Sequence, residues 1–429
     1  MRGILRTFGR ITLVGTGSGR AAETARGLGI AVAALVWLLA PGAVVPARAQ
    51  PSAFEAPADL FYLHPLVNYA HPVRWQVTWE RERLARGGMQ VTVGSISTKD
   101  FATLARIELV EPATDRLRFL YRFDWNESPH VDGGERQNWL GLELSVSRTR
   151  FGVFGAEMLV HPTSDKADLD LLPGIVWSDR ARRNYLRLGW RRDDSVYGDK
   201  NDRDGVQLSD PSGPSWALHV RHGMFELSGE GTVLRPVERR FDDASRSPDL
   251  AFFREKRSWS SHAVRWVGDD RLVEFRFEHR DLQRIERVPP DAVVFEDRRQ
   301  DSRWRHARLA WEQGFGRAWR GRASVHRLHY DNEFVAVDHR RRETMFGAFV
   351  ERRFGDRHWV DVGWMSTDFS WTSSPDGSVY GRDQDGIASK LAIGWTLEVT
   401  DRGWLRALLS HEPDPQQFGG ANLQAQMMF

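Results

Sequence analysis

The last eight residues, Asn422-Leu423-Gln424-Ala425-Gln426-Met427-Met428-Phe429, alternate apolar with polar and stop on an aromatic side chain. Successive side chains of an extended strand point to opposite faces, so Leu423, Ala425, Met427 and Phe429 share one face and Gln424 and Gln426 the other. Terminal residues fray unless something ties them down. A final strand is held when it pairs with the first, which closes the sheet and leaves no open edge. The expectation is a closed sheet, apolar on one face and polar on the other.

The opposite end carries Arg2, Arg6, Arg10, Arg20 and Arg26 against Glu23, then an apolar run over 27–40, Pro41-Gly42 and the small-residue site Ala47-Arg48-Ala49. This order predicts a signal peptide over 1–49, cut before Gln50. The apolar run of fourteen residues is shorter than the roughly 17–25 that a spanning helix needs. The full chain has 60 Lys and Arg against 58 Asp and Glu, and residues 1–49 hold six of the arginines and one glutamate. The mature chain is therefore slightly acidic. It lacks the positive footprint on which nucleic-acid binding rests, and no nucleic-acid partner is expected. Without cysteine there is no disulfide framework and no thiolate chemistry.

From about residue 103 one unit recurs: a strand of about ten residues, a tight polar turn, a second strand, then a hydrophilic loop. Tight turns are expected near 112–115, 147–149, 179–183, 222–223, 268–270, 314–317, 355–357 and 400–403, and longer loops near 126–137, 161–167, 193–214, 235–257, 283–302, 331–341, 370–386 and 412–421. Eight hairpins, the C-terminal strand and Met89–Ser97 make about eighteen strands, within a range of 16 to 20. The spacing predicts an all-β fold, a transmembrane antiparallel up-and-down β-barrel over 89–429 with short periplasmic turns and long extracellular loops. Residues 50–88 are left as an N-terminal periplasmic or lumenal segment or an extra strand, because 74–83 also alternates. Localisation follows as the bacterial outer membrane, with membrane lipid and the barrel-insertion machinery as partners and Phe429 as the assembly signal. Eighteen tryptophans, among them Trp177, Trp190, Trp259, Trp304, Trp319 and Trp404, suit the two interfacial girdles.

Several strands are cleanly two-faced. Leu140, Leu142, Leu144 and Val146 oppose Gly141, Glu143 and Ser145, and Val273, Phe275 and Phe277 oppose Glu274, Arg276 and Glu278. If the apolar face meets lipid, the other lines the lumen. The residues assigned to that lining are Arg106, Arg118, Arg122, Glu143, Arg187, Arg191, Arg221, Glu226, Glu230, Glu274, Arg276, Glu278, Arg308, Glu312, Arg320, Arg322 and Arg406. Arg353, Lys390, Glu108, Asp124, Glu157, Glu351, Asp361 and Glu398 share their face. The signs nearly balance. Either Arg and carboxylates stand on opposing walls of a wet constriction, or neighbouring strands pair them and the wall is self-satisfied.

Catalytic and metal chemistry find little support. Ser260 and His262 share a face, near enough for nucleophile and base, but no acid is identifiable beside them. His219 with His222 and His326 with His329 stand three apart, which puts each pair on opposite faces of a strand. The acidic loops Asp199–Gly205 and Asp383–Gly386 miss the ligand positions of a calcium loop. No enzyme activity, cofactor or metal is expected.

The signal, the alternating strands and the terminal Phe429 resemble the porin-like outer-membrane barrels over residues 89–429. Strand number and the arginine-lined face are similar to the eighteen-stranded alginate-export and substrate-specific porin families. The resemblance implies an outer-membrane channel for passive diffusion of small polar or anionic solutes through a charged lumen. Two alternatives stay open: a closed barrel acting as scaffold or docking partner, and an exporter of an anionic polysaccharide. Solute and oligomeric state have no sequence marker.

Overall fold

In the computed structural model the residues described are 72–97, 101–127, 135–161, 170–192, 195–197, 206–209, 211–240, 251–287, 298–334, 337–373, 384–413 and 417–429. The segment expected to be a signal peptide and the acidic loop at 199–205 lie outside them. Among the described residues one helix, α1 (Val73–Arg86), precedes the strands. No described helix is long and apolar enough to cross a membrane.

The strands in chain order are β1 (Gly88–Ser97), β2 (Phe101–Pro112), β3 (Leu117–Glu127), β4 (Glu135–Thr149), β5 (Gly152–His161), β6 (Asp170–Ser178) and β7 (Tyr185–Arg192). Next come β8 (Ser195–Tyr197), β9 (Val206–Ser209), β10 (Ser212–His222), β11 (Phe225–Val233), β12 (Val237–Arg240), β13 (Phe252–Val267) and β14 (Arg271–Arg287). The last are β15 (Arg298–Phe315), β16 (Trp319–Phe334), β17 (Val337–Phe354), β18 (His358–Ser373), β19 (Gln384–Thr400), β20 (Gly403–Glu412) and β21 (Gln417–Met428). β8 and β9 form a separate ribbon, and β11 and β12 both pair with β13 as one interrupted strand. The rest is a closed, antiparallel, up-and-down barrel of 18 strands.

Closure is the pairing of β1 with β21, from Gly88 opposite Met428 to Ile96 opposite Gly420. It satisfies the backbone of the chain's last strand, whose Gln424 and Gln426 are buried while Phe429 stays half exposed. Alternation on the other strands holds as well. Leu140, Leu142, Leu144 and Val146 are exposed on the outer face and Glu143 and Ser145 are buried. Phe275 is 51% exposed beside Glu274 at 0%, the contrast that separates a lipid-facing exterior from a packed interior.

Tight turns lie at 113–116, 150–151, 179–184, 223–224, 268–270, 316–318, 355–357 and 401–402. The second falls later than expected, and a register shift between Ser145 and Ser147 takes up an extra residue in β4. At the other end the expectation needs correction. Most of 331–341 is strand, since β16 runs to Phe334 and β17 starts at Val337, and β14 and β15 cover much of 283–302. These strands reach 16–18 residues, well beyond the roughly 9–11 needed to span. Above the apolar belt both faces turn polar, as in Asp331-Asn332-Glu333, so a strand there has a loop's composition. Two tryptophans assigned to the girdles, Trp304 and Trp404, are instead buried, while Trp190 and Trp319 are exposed.

Charge placed on the outer face of one hairpin checks this register. Phe275→Arg is expected to destabilise the inserted barrel by about 2–4 kcal/mol if the residue lies near the midplane, whereas Phe275→Leu leaves it intact. Heat-modifiability on gels reads the difference, and equal behaviour of the two variants would mean the register is off by one. Deleting Phe429 is expected to lower the amount of folded barrel in outer-membrane fractions, and unchanged levels would remove its role as the assembly signal.

Candidate functional site

The pattern Val73-x-Trp75-x-Val77-x-Trp79 permits a strand by its alternation, yet the segment is helical. In a helix the same spacing gives two i,i+4 pairs, Val73 with Val77 and Trp75 with Trp79, on nearly opposite sides. Such a helix has no single apolar stripe and suits surroundings that enclose it. Val73 and Val77 pack on Leu272 and Ala310 of β14 and β15. On another side the Trp75 ring stacks on Trp404 of β20 at 4.0 Å between centroids.

Between the ridges stand the polar contacts. Arg74 bonds Glu351 of β17 at 2.7 Å and Glu312 of β15 at 3.2 Å. Glu312 also accepts the backbone N–H of Val73, so a wall carboxylate caps a helix start that has no side-chain cap of its own. Glu80 accepts from Arg265 of β13 at 2.5 and 3.0 Å and from Arg276 of β14 at 3.4 Å. Arg81 reaches Glu226 of β11 at 2.5 Å. Trp79 donates to Glu108 of β2 at 2.7 Å. With contacts to β2, β11, β13, β14, β15, β17 and β20, α1 lies across the lumen as a plug.

The helix ends at Gly87, whose φ of 85° lies in the left-handed region and whose N–H bonds Arg83 O at 2.9 Å. A Cβ there would stand 2.5 Å from the Pro112 ring. Both constraints call for glycine. Arg83 and Arg86 in the last turn complement the helix dipole.

Most of the residues assigned to the lining do face inward. Glu226, Glu274, Arg276, Arg308, Glu312 and Arg406 lie in the network under α1: Arg308 and Arg265 both bond Glu274, and the Arg406 guanidinium lies over the Trp75 ring at 5.6 Å. Others pair along the wall. Arg118 and Arg182 share Glu143 at 3.5 and 2.7 Å, Arg187 meets Glu157 at 2.9 Å, and Arg322 with Arg406 holds Asp361, each at 2.5 Å. Glu278 bonds His306 at 3.0 Å, which in turn meets His326 at 3.1 Å. Arg320 lies over the Trp359 ring at 4.4 Å. Arg122 stands opposite Glu108, Arg106 opposite Asp124 and Glu230 opposite Ser261 in the ladders, and Arg191 is half-buried. Arg221 departs from the set, exposed beside the turn at 223–224 and 3.7 Å from Glu226. Between an open transverse field and a self-paired wall, the contacts are those of a self-paired wall.

Sequence reading left 50–88 as a periplasmic or lumenal segment or an extra strand and so missed that 73–86 is a helix; it also missed Arg265. For Arg265 the signal was present: Val264 faces outward at 52% exposure, so its neighbour had to face in. On the outer face Ser260 meets His279, not His262, at 3.5 Å, and His279 bonds Asp281 at 3.0 Å. Ser260 and His279 lie within continuous ladders, which commit their backbone N–H groups and leave no paired donors for an oxyanion. His326 is buried inside while His329 is on the other face beside Asp331. Among the described residues no His, Asp and Glu cluster fits a metal.

Glu80 gives the plug a pH dependence. Burial works against its ionisation, but Arg265 and Arg276 outweigh burial and hold the carboxyl down to about 2. A carboxyl depressed in the docked state stabilises docking above its free value of about 4.3 and loses that contribution as pH falls toward 2. Conductance across a bilayer is therefore expected to stay constant from pH 7 to 5 and to rise only below about 4. Opening that sets in already near pH 6 would show that another group holds the helix.

A closed up-and-down barrel with a lipid-facing exterior belongs in the bacterial outer membrane. No family model matches the chain and no curated protein matches it. Among solved structures it is similar to a loop-deletion mutant of OmpT, an outer membrane protein of Vibrio cholerae, at 13% identity over 80% of this chain and 97% of that one, with a TM-score of 0.37. It is similar to a bacterial polysaccharide outer membrane secretin at 10% identity, 81% and 99% coverage and a TM-score of 0.39. The outer membrane channel DcaP of Acinetobacter baumannii aligns at 10% identity, 80% and 96% coverage and a TM-score of 0.35. These likenesses are distant, and the barrel assignment stands on this chain's own strand register and apolar exterior.

Proposed function

We propose that the protein is an outer-membrane channel for small polar solutes, held closed by α1. The observation that carries this reading is the docking of one helix against walls on opposite sides of the lumen, through Glu312 and Glu351, Arg265 and Arg276, and Glu108 with Trp404. Ion pairs suit a removable plug better than a permanent filling. An apolar contact loses stability wherever it meets water, while a charged side chain released from its partner is resolvated.

The solute class follows from what the helix covers. It brings four arginines and two glutamates into the lumen, and it masks Glu108, Glu226, Glu312 and Glu351. A pore conducting past a docked α1 favours anions. One from which α1 has withdrawn presents uncovered carboxylates and favours cations. A lumen sealed for good by its ion pairs is the second reading, supported by the wall pairs at Glu143, Glu157 and Asp361.

Planar-bilayer recording separates the two. The full barrel is expected to show rare or small steps, and a variant lacking residues 73–86 steady large ones, with the reversal potential under a salt gradient moved toward cation selectivity. Arg74→Glu, which sets a third carboxylate against Glu312 and Glu351, should open the pore part of the way. Silence from all three proteins, each verified as folded by heat-modifiability, would replace the channel with the closed scaffold.

A further inference from the structure

Where the outer face of β15 and β16 turns basic, the inner face turns apolar. Arg303, Arg305 and Arg327 are exposed, while their neighbours Trp304, Leu328 and Tyr330 point inward and are buried to 2%, 1% and 1% exposure. With Met345 and Phe349 of β17 and Met365 of β18 they form one apolar cluster. Polar outside and apolar inside is the pattern of a sheet that covers a hydrophobic core, and such a face is stable only against an apolar filling. A barrel of 18 strands is wide enough to leave an aqueous channel, so its inner side chains do not cover one another across the lumen.

Helix α1 docks at the foot of this cluster. On β15 it meets Arg308, Ala310 and Glu312, whereas Trp304 lies eight residues beyond Glu312, roughly 27 Å farther from the tight turns along the strand. The first residue of α1, Val73, lines a small cavity with Arg322, His326 and Phe349. Phe349 stands opposite Arg322, and Arg322 opposite Glu312, in the ladders. The chain therefore enters α1 at the lower end of the apolar wall. Residues 60–71, immediately upstream, lie outside the described residues. Over 60–69, Leu60-Phe61-Tyr62-Leu63-His64-Pro65-Leu66-Val67-Asn68-Tyr69, seven of ten side chains are apolar or aromatic and none is Asp, Glu, Lys or Arg. Such a run in water is an apolar patch of the kind that marks a contact surface.

We infer that the inner face of β15–β18 is the docking site of this chain's own segment 60–69, laid from Phe349 upward past Met345 and Leu328 to Tyr330 and Trp304. Reach permits it: the twelve residues 60–71 span about 40 Å when extended, against the roughly 27 Å of wall. The polar groups of the wall suit an uncharged occupant, because Arg341 bonds Glu343 and His306 meets His326, and a charged one would be buried without a partner. Covalent continuity with Val73, itself fixed to Glu312, keeps the segment beside its site at high local concentration. The docking holds for a gated pore and for a sealed barrel alike.

The test uses the full exported barrel in nanodiscs, with the photo-crosslinker benzoylphenylalanine in place of Phe61. Illumination should join that position to peptides carrying Leu328, Met345 or Met365, mapped by mass spectrometry, at a yield independent of protein concentration. Leu328→Asp, which buries an unpaired charge in the wall, should lower the yield at least about tenfold, and Val325→Leu on the outer face should leave it unchanged. A second measurement needs no change in the wall. Oxidation of Met345 by hydrogen peroxide should be slow in the full barrel and about fivefold or more faster in one whose mature chain begins at Pro72, and an added peptide of residues 57–71 should restore protection. Heat-modifiability verifies that each protein is folded. Cross-links confined to the outer surface, to loops or to a second copy would overturn the site, as would Met345 oxidation unchanged by the truncation. Equal protection by a scrambled peptide would show a wall that takes any apolar occupant, and would overturn the assignment too.

Discussion

The structure depends on one demand: in hydrocarbon no backbone N–H or C=O can be left without a partner. An open sheet fails that demand at its two edges, and the pairing of β1 with β21 removes both. Once the ladder is closed, each strand has a fixed inside and a fixed outside. The exterior must be mainly apolar, and most polar side chains of the spanning region turn inward. A chain with 28% charged residues can live in a membrane only on those terms.

Inward-facing charge creates a second demand. Buried ions are costly unless they are paired, and the wall meets much of this by setting arginine against carboxylate on neighbouring strands, as at Glu143, Glu157 and Asp361. The middle of the lumen cannot be served by neighbours alone, because opposite walls are too far apart to touch. Helix α1 bridges them. Its two apolar ridges and the charged residues between them follow from having walls on several sides, which explains how a segment without an amphipathic stripe is a stable helix here.

Much of this was legible from residues alone. Alternation in Leu140–Val146 and Val273–Glu278 set the faces, and their burial agrees. Strand number was readable because turn residues such as Gly223 and Gly355 punctuate the chain at one end. Three things were not legible. Val73–Trp79 carries both periods at once, so its helix is decided by the enclosing walls and not by local pattern. Strand above the membrane, as at 338–342, carries polar residues at consecutive positions and loses the only signal that distinguishes it from loop. Pairing partners such as Arg74 with Glu351 lie far apart in sequence, and charge alone cannot name which carboxylate an arginine will meet.

Gly87 joins the last turn of α1 directly to Gly88, the first residue of β1, and its carbonyl accepts from Phe429 N–H at 3.4 Å. On the proposed reading of α1 as a removable plug, it is hinged on the seam of the barrel through Gly87, a flap about 21 Å long. A flap cannot be diluted away. Confinement at millimolar or higher effective concentration means that contacts too weak to hold a separate peptide suffice to return this one, so closure is set by geometry and speed more than by affinity. On that reading any agent that keeps the flap open must compete continuously with its return, and when that agent leaves the lumen refills without a new encounter.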